Sequence, residues 1–151
     1  MSDRILLTVK DKLGTELTIK SADILGYSPV LPIFMTHQVE LMNAGYANRV
    51  FIATNRSKAV YAEVNGVIVG EIVYDVKEEA IKFAYIIAGT VIPTFRGRGI
   101  YKILHQQLEV VAKSLGCAKI RSEVHPDNTA MVSTLESLGK RITYYKVEKD
   151  L

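Results

Sequence analysis

Alternating apolar and polar positions predict two β-hairpins in this chain. Ile5 to Val9 and Glu16 to Lys20 each alternate, and turn residues between them predict an opening hairpin. Val60 to Val64 and Val67 to Tyr74 are separated by Asn65-Gly66, a pair that favours a type I′ turn because both residues tolerate positive φ. We therefore expect antiparallel strand pairs at both places.

A continuous apolar run follows the second hairpin. Phe83 to Ile92 has the composition of a strand buried on both faces, and Pro93 ends its pairing because proline has no backbone donor. The charged stretch Asp75 to Glu79 before it is predicted to be a turn. The hairpin and this strand would form a three-stranded antiparallel meander.

Helical spacing of apolar residues predicts two helices. The first begins at Ser28-Pro29 and ends before Gly45, and the second ends at Gly116. The first helix is expected to bury a stripe of Ile33, Met35, Val39, Leu41 and Met42. The second is expected to bury Ile100, Ile103, Leu104, Leu108, Val111, Ala112 and Leu115.

The residue pattern in the last third of the chain predicts a strand, then a helix, then a second strand. Cys117 to His125 is expected to pair parallel to the buried strand, because a helix connects the two. Asn128 is predicted to cap a helix that reaches Leu138, and Ile142 to Val147 is predicted as a final strand. Val50 to Ala53 is too short to classify.

The stretch from Val91 to Tyr101, V-I-P-T-F-R-G-R-G-I-Y, joins the buried strand to the second helix. Gly97 and Gly99 would let a phosphate approach bare backbone at the start of the helix, and Arg96 and Arg98 would add positive charge. Neither the Rossmann nor the P-loop pattern fits. The sequence predicts an anion site here, with a tight basic turn into a surface helix as the alternative.

These residues resemble the GNAT superfamily of acyl-CoA N-acyltransferases. The family pattern is Gln/Arg-x-x-Gly-x-Gly/Ala, and Arg96, Gly99 and Tyr101 occupy its fixed positions, with Tyr101 departing from the usual small residue. Asn128 and Leu138-Gly139 agree with a second family block, so the resemblance covers about Val60 to Gly139.

The resemblance implies an α/β fold in one domain spanning residues 1–151. Its mixed sheet would contain the central antiparallel meander, a parallel strand pair that splays apart, and flanking helices. The pantetheine arm of acetyl-CoA would lie in the splay, which a bulge at Gly89 could assist. The implied cofactor-binding residues are Val91, Ile92, Arg96, Gly97, Arg98, Gly99, Ile100, Tyr101 and Asn128.

The implied activity is transfer of an acetyl group from acetyl-CoA to a primary amine of a small molecule or a protein. Backbone N–H groups near Val91 and Ile92, exposed by the splay, would polarise the thioester carbonyl. Strand parity makes Glu123 the first candidate for the general base and Glu71 the second. A structural salt bridge is the alternative role for each carboxylate.

The general acid is harder to assign. Many family members carry a tyrosine seven residues after the asparagine, where this chain has Leu135. Tyr101, Tyr144 or Tyr145 could replace it, and each could instead be a packed aromatic residue. The first predicted helix would border the acceptor cleft, so His37 and Gln38 could face the acceptor, although a solvated helix face is the preferred interpretation.

Composition narrows the competing functions. A catalytically degenerate acyl-CoA-binding or regulatory module is the main alternative, and the net charge of +3 makes a nucleic-acid binder unlikely in comparison. The single Cys117 and three scattered histidines argue against a disulfide and against a metal site. Without a signal peptide or a membrane-length apolar run, a cytoplasmic location is expected. The family normally has one more terminal strand, so a second copy could complete the sheet.

Overall fold

The computed structural model describes residues 3–46, 53–54 and 56–151. The unclassified segment at Val50 to Ala53 lies almost wholly outside these residues. Six strands form one sheet in the order β1-β2-β3-β4-β5-β6. All neighbours are antiparallel except β5 and β6, which are parallel. The strands are β1 Arg4–Lys10, β2 Glu16–Ala22, β3 Lys58–Val64, β4 Val67–Glu78, β5 Lys82–Val91 and β6 Lys119–Arg121.

Among the described residues, three α-helices accompany the sheet, namely α1 Val30–Asn43, α2 Ile100–Ser114 and α3 Thr129–Ser137. Because side chains alternate along a strand, the sheet has two apolar faces with separate cores. The α2 face buries Leu17, Ile19, Val60, Ile72, Leu104 and Leu108. The α1 face buries Ala22, Leu25, Val30, Phe34, Tyr61 and Val73. The mixed α/β architecture predicted from the sequence is confirmed.

Both predicted hairpins are present. Asn65 and Gly66 have φ of 50° and 78°, as a type I′ turn requires. The turn predicted at Asp75 to Glu79 is wrong, because β4 continues to Glu78 and pairs with β5 as far as Lys82. Backbone pairing with a long partner strand outweighs the charged side chains at this end of the sheet.

The buried face of α1 differs from the predicted stripe. Met35, Val39 and Met42 are 59%, 57% and 47% exposed, whereas Val30, Phe34, His37 and Gln38 are buried. The solvated position preferred for His37 and Gln38 is therefore wrong. Residues three or four positions apart lie on the same face of a helix. His37 and Gln38 follow Phe34 at these spacings, so they lie on the face that packs against the sheet.

The parallel strand is shorter than the predicted Cys117 to His125. Only Lys119–Arg121 pairs, and its partners are Phe83, Ala84 and Tyr85 near the start of β5. Beyond Tyr85 and Arg121 the two segments are not paired, and we call the space beside residues 86–91 of β5 the splay gap. The bulge expected at Gly89 is wrong, because the register shift leaves Ile87 as the extra residue of β5.

The predicted final strand from Ile142 to Val147 is also wrong. Residues 140–151 form no helix or strand, and Ile142, Tyr144, Tyr145 and Val147 are exposed. β6 has only three residues, so it offers the following chain a very short edge to pair with. In the part of the chain that the structure describes, no helix is long and apolar enough to cross a membrane.

Candidate functional site

The predicted anion loop is a glycine-rich entry into α2. A 3-10 turn at Pro93–Phe95 follows β5, and Gly97 and Gly99 then take positive φ values of 76° and 81°. The first helical bond runs from the Ile103 N–H to the Gly99 carbonyl, at 3.2 Å, so residues 100–102 have no partner within the helix for their N–H groups. A β-carbon at Gly97 would meet nothing within 4 Å. Bare backbone and free helical donors fit a phosphate.

Arg96 holds the end of β5 to α1. Its Nε donates to the Val91 carbonyl at 2.7 Å, and its Nη2 donates to Oε1 of Glu40 at 2.8 Å. The hydrogen bond from Arg96 lowers the pKa of Glu40, which keeps this carboxylate ionised. The guanidinium predicted to face a phosphate is therefore engaged with the protein.

Arg98 is engaged on the opposite side of the loop. Its Nη2 donates to the Thr94 carbonyl at 3.1 Å, and its Nη1 lies 3.5 Å from Oδ2 of Asp11. The guanidinium also stacks over the ring of Phe95 at 4.4 Å. The guanidinium thus forms an ion pair with the buried carboxylate of Asp11.

Lys12 is a site residue that the sequence did not suggest. It lies in the turn between β1 and β2, and its N–H donates to the Arg98 carbonyl at 3.1 Å. Its Cε lies 3.3 Å from the position that a β-carbon of Gly99 would occupy. No local pattern signals this contact, because it joins residues far apart in the chain.

The two backbone donors predicted for the thioester carbonyl point in opposite directions. The Ile92 N–H donates to the Val69 carbonyl at 2.9 Å and is therefore directed at β4. Successive residues of a strand turn their N–H groups to opposite sides, so the Val91 N–H faces the splay gap. The Ile92 donor is not exposed by the splay, which corrects that part of the prediction.

Tyr101 occupies the α2 side of β5 beside the splay gap. Its Cε2 would lie 2.6 Å from a β-carbon at Gly89, and its hydroxyl would lie 3.3 Å from the same point. The ring centroid is 6.4 Å from that of His105, a fully buried residue. Burial raises the pKa of Tyr101, so its hydroxyl keeps its proton at neutral pH.

The two candidate bases lie in different environments. Glu71 is buried in β4 opposite Thr90 of β5, and neither of its carboxylate oxygens has a hydrogen bond among the described residues. Burial raises its pKa to about 8. Glu123 is exposed and lies beyond the end of β6 at Arg121, so the strand parity that favoured it does not apply. The structure does not bring these two carboxylates together.

A cleft of about 310 Å³ opens on the α1 side of the sheet. It is lined by Pro32, Ile33, Thr36, His37 and Glu40 of α1 and by Thr90, Ile92 and Pro93. Thr90 links the cleft to Glu71, its neighbour across the strands. Burial lowers the pKa of His37, whose Nδ1 lies 3.7 Å from Oε2 of Glu40.

The remaining predicted site residues lie at or within α3 and in the C-terminal segment 140–151. Asn128 caps α3, with its Oδ1 accepting a hydrogen bond from the Met131 N–H at 3.4 Å. Leu135 is buried, and it is the residue at the position of the family tyrosine. Tyr144 and Tyr145 are 71% and 81% exposed in the segment that has no regular secondary structure.

Sequence comparisons show which known proteins this chain is similar to. The model of the acetyltransferase (GNAT) family matches residues 30–139. The chain is 26% identical over 133 residues to L-2,4-diaminobutyric acid acetyltransferase of Nocardia farcinica, covering 88% of this chain and 68% of that protein. It is 42% identical over 79 residues to acetyltransferase ECA0875 of Pectobacterium atrosepticum, covering 51% and 52% of the two chains.

Solved structures share the fold. A putative acetyl transferase from Pyrococcus furiosus superimposes with a TM-score of 0.71 at 21% identity, covering 89% of this chain and 99% of that one. AAC(6')-Iy, solved with the bisubstrate analog CoA-S-monomethyl-acetylneamine, gives a TM-score of 0.60 at 16% identity, covering 88% and 99%. The family match includes the anion loop, the splayed strands and α3, and on this evidence the chain belongs to the acetyltransferase (GNAT) family.

Proposed function

We propose that this protein is an N-acetyltransferase that moves an acetyl group from acetyl-CoA to a primary amine of a small molecule or a protein. One relationship carries the proposal. The Val91 N–H faces the splay gap, and Thr90, the residue before it, lines the α1-side cleft beside buried Glu71. A donor for a thioester oxygen and a base for an amine therefore meet at the end of β5.

The anion loop and the splay gap would hold the coenzyme. Its pyrophosphate fits the bare backbone at Gly97 and Gly99 and the unpaired N–H groups of residues 100–102. Its pantetheine arm would lie in the splay gap, beside residues 86–91 of β5. Acetyl-CoA, when bound, supplies an activated thioester, and the Val91 N–H would stabilise negative charge on the carbonyl oxygen.

Glu71 is the general base that the geometry favours over Glu123. A base must be able to hold the proton of an ammonium group, and a carboxyl group with a pKa of about 8 is well matched to that task near neutral pH. Glu71 is fully buried, so we propose that the proton reaches it past the Thr90 side chain, from an amine in the cleft.

Tyr101 is the proposed proton donor to the leaving thiolate. Its hydroxyl lies beside Gly89, two residues before Val91 on β5, and a tyrosine hydroxyl holds a proton at neutral pH. Leu135 has no proton to give. Tyr144 and Tyr145 are exposed in the C-terminal segment, so they are weaker candidates.

The names of similar proteins define a test panel of acceptors. Purified protein with acetyl-CoA would be incubated with L-2,4-diaminobutyrate, an aminoglycoside or a peptide with N-terminal alanine, and release of free thiol would be followed. We expect at least one amine to raise thiol release above the amine-free rate.

The main alternative is a catalytically degenerate acyl-CoA-binding or regulatory module, which Leu135 at the tyrosine position favours. Calorimetric binding of acetyl-CoA without thiol release from any amine or lysate protein would support this alternative. Absence of binding at sub-millimolar acetyl-CoA would contradict both proposals.

We further propose that a second copy of the chain covers the C-terminal segment. Ile142, Tyr144, Tyr145 and Val147 are all exposed, and burial of their large apolar side chains against a second copy would stabilise the pair. Light scattering after size exclusion should then give twice the mass of the 16.8 kDa chain, and a Tyr144→Asp variant should shift toward the monomer.

A further inference from the structure

The turn between β1 and β2 is docked on the anion loop. Lys12 donates its N–H to the Arg98 carbonyl at 3.1 Å, and Asp11 lies 3.5 Å from the Arg98 guanidinium. Oδ1 of Asp11 also accepts hydrogen bonds from the N–H groups of Leu13 and Thr15, both at 2.9 Å. These contacts fix the turn in one conformation and place it against the loop.

The side chain of Lys12 extends across Gly99. Its Cε, Cγ and Cδ lie 3.3, 3.7 and 3.8 Å from the position that a β-carbon of Gly99 would occupy. The aliphatic stem therefore lies over Gly99, the residue that precedes the first residue of α2, and Lys12 is exposed. Lysine commonly packs its stem in this way while its charge stays in water.

Lys12 also differs from the two arginines of this loop in its ion pairing. Arg96 pairs with Glu40, and Arg98 pairs with Asp11. Among the described residues no ion pair is formed by Lys12. A phosphate arriving at Gly99 would gain most from the ammonium group, because the two arginine charges are already compensated by carboxylates.

We propose that Lys12 binds the pyrophosphate of acetyl-CoA above Gly99, so that the β1–β2 turn is part of the coenzyme site. This inference rests on the proposed function, since it assigns a residue to the same site. Asp11 acts as a positioning residue, because its carboxylate holds both the turn and Arg98. The loop then supplies backbone donors, and the distant turn supplies the free cation.

Calorimetric titration with acetyl-CoA tests the role of Lys12. Lys12→Ala should bind about tenfold more weakly, as loss of a charge-assisted contact implies, and Lys12→Arg should bind nearly as well as the wild type. Lys113→Ala is the matched control, because Lys113 lies in the last turn of α2, and its removal changes the net charge equally. Thermal unfolding of each variant verifies that the fold is retained.

Truncated coenzymes locate the contact. The loss in Lys12→Ala should persist with acetyl-3′-dephospho-CoA, which keeps the pyrophosphate, and it should disappear in competition experiments with acetyl-pantetheine, which lacks it. Wild-type affinity in Lys12→Ala, or an equal loss with acetyl-pantetheine, would overturn the inference. Failure of the wild type itself to bind acetyl-CoA would instead refute the proposed function, so the two failures are distinguishable.

Discussion

The ring of Tyr101 lies directly on Gly89, so that a methyl group at residue 89 would come within 2.6 Å of Cε2. This contact explains how a bulky residue fits a position where the family pattern has a small one. The Tyr101 ring occupies the space that a side chain at residue 89 of β5 would fill. The Tyr101 hydroxyl therefore lies beside the splay gap. The absence of a side chain at Gly89 thus makes room for tyrosine at position 101, where the family pattern has a small residue.

Gly89→Ala should destabilise the protein because the added methyl group overlaps Tyr101. A small-to-large change in a packed site costs about 1–3 kcal/mol, and denaturant unfolding would measure it. Tyr101→Ala in the same chain should remove most of this additional cost. Strictly additive effects in the double variant would contradict the contact.

Tyr101→Phe should lower kcat if the hydroxyl protonates the leaving thiolate. Loss of a general acid costs about 100-fold or more, whereas the phenylalanine ring keeps the packing on Gly89. Steady-state kinetics with an accepted amine would measure kcat, and the affinity for acetyl-CoA should stay within about twofold, well below the tenfold step that marks a lost contact. Unchanged kcat would exclude Tyr101 as the acid.

Glu71→Gln should remove the acidic limb of the pH–rate profile, in which the rate rises with pH. The wild-type rate should rise with pH through about 8, because only the ionised Glu71 can accept a proton. The variant should lose about 100-fold or more in kcat. Glu123→Gln is the control, and a profile lost in that variant instead would reassign the base.

Glu71→Gln should also change how the free energy of unfolding depends on pH. The pKa of Glu71 is about 8 in the folded state against an ordinary value of 4.5, so the folded protein binds the extra proton between these values. The contribution of Glu71 to the free energy of unfolding should therefore fall as pH rises from 4.5 toward 8. Glu71→Gln should not show this fall, and parallel stability curves for the two proteins would contradict the buried, neutral carboxyl group.

His105→Leu should make the protein more resistant to acid. Burial, with a smaller effect of Lys140, lowers the pKa of His105 from 6.5 to about 4, and neither ring nitrogen has a hydrogen-bond partner among the described residues. The unfolded chain therefore binds more protons at this residue between these values, and the contribution of His105 to the free energy of unfolding falls as pH drops from 6.5 to 4. Thermal unfolding should show that the stability of His105→Leu relative to the wild type increases as pH falls across this range. His125→Leu, at a partly exposed histidine, should retain the wild-type slope.

Local patterns in the sequence determined the meander, the type I′ turn at Asn65-Gly66, the anion loop and the cap of α3 at Asn128. Each of these depends on neighbouring residues, on period-two or helical spacing, and on the φ values that glycine and asparagine accept. The family pattern at Arg96 and Gly99 is likewise a local feature, and the family that it indicates is the one that the comparisons show.

Tertiary structure decided the features that depend on pairing and packing between distant segments. The end of β6 at Arg121, the buried position of His37 and the contact of Lys12 with Gly99 have no local signal. Contacts between distant segments also changed which cations we infer to be available for a phosphate. Arg96 and Arg98 had seemed to be free cations, and only the folded chain shows that Glu40 and Asp11 compensate them, because opposite charges pair wherever the fold brings them within reach.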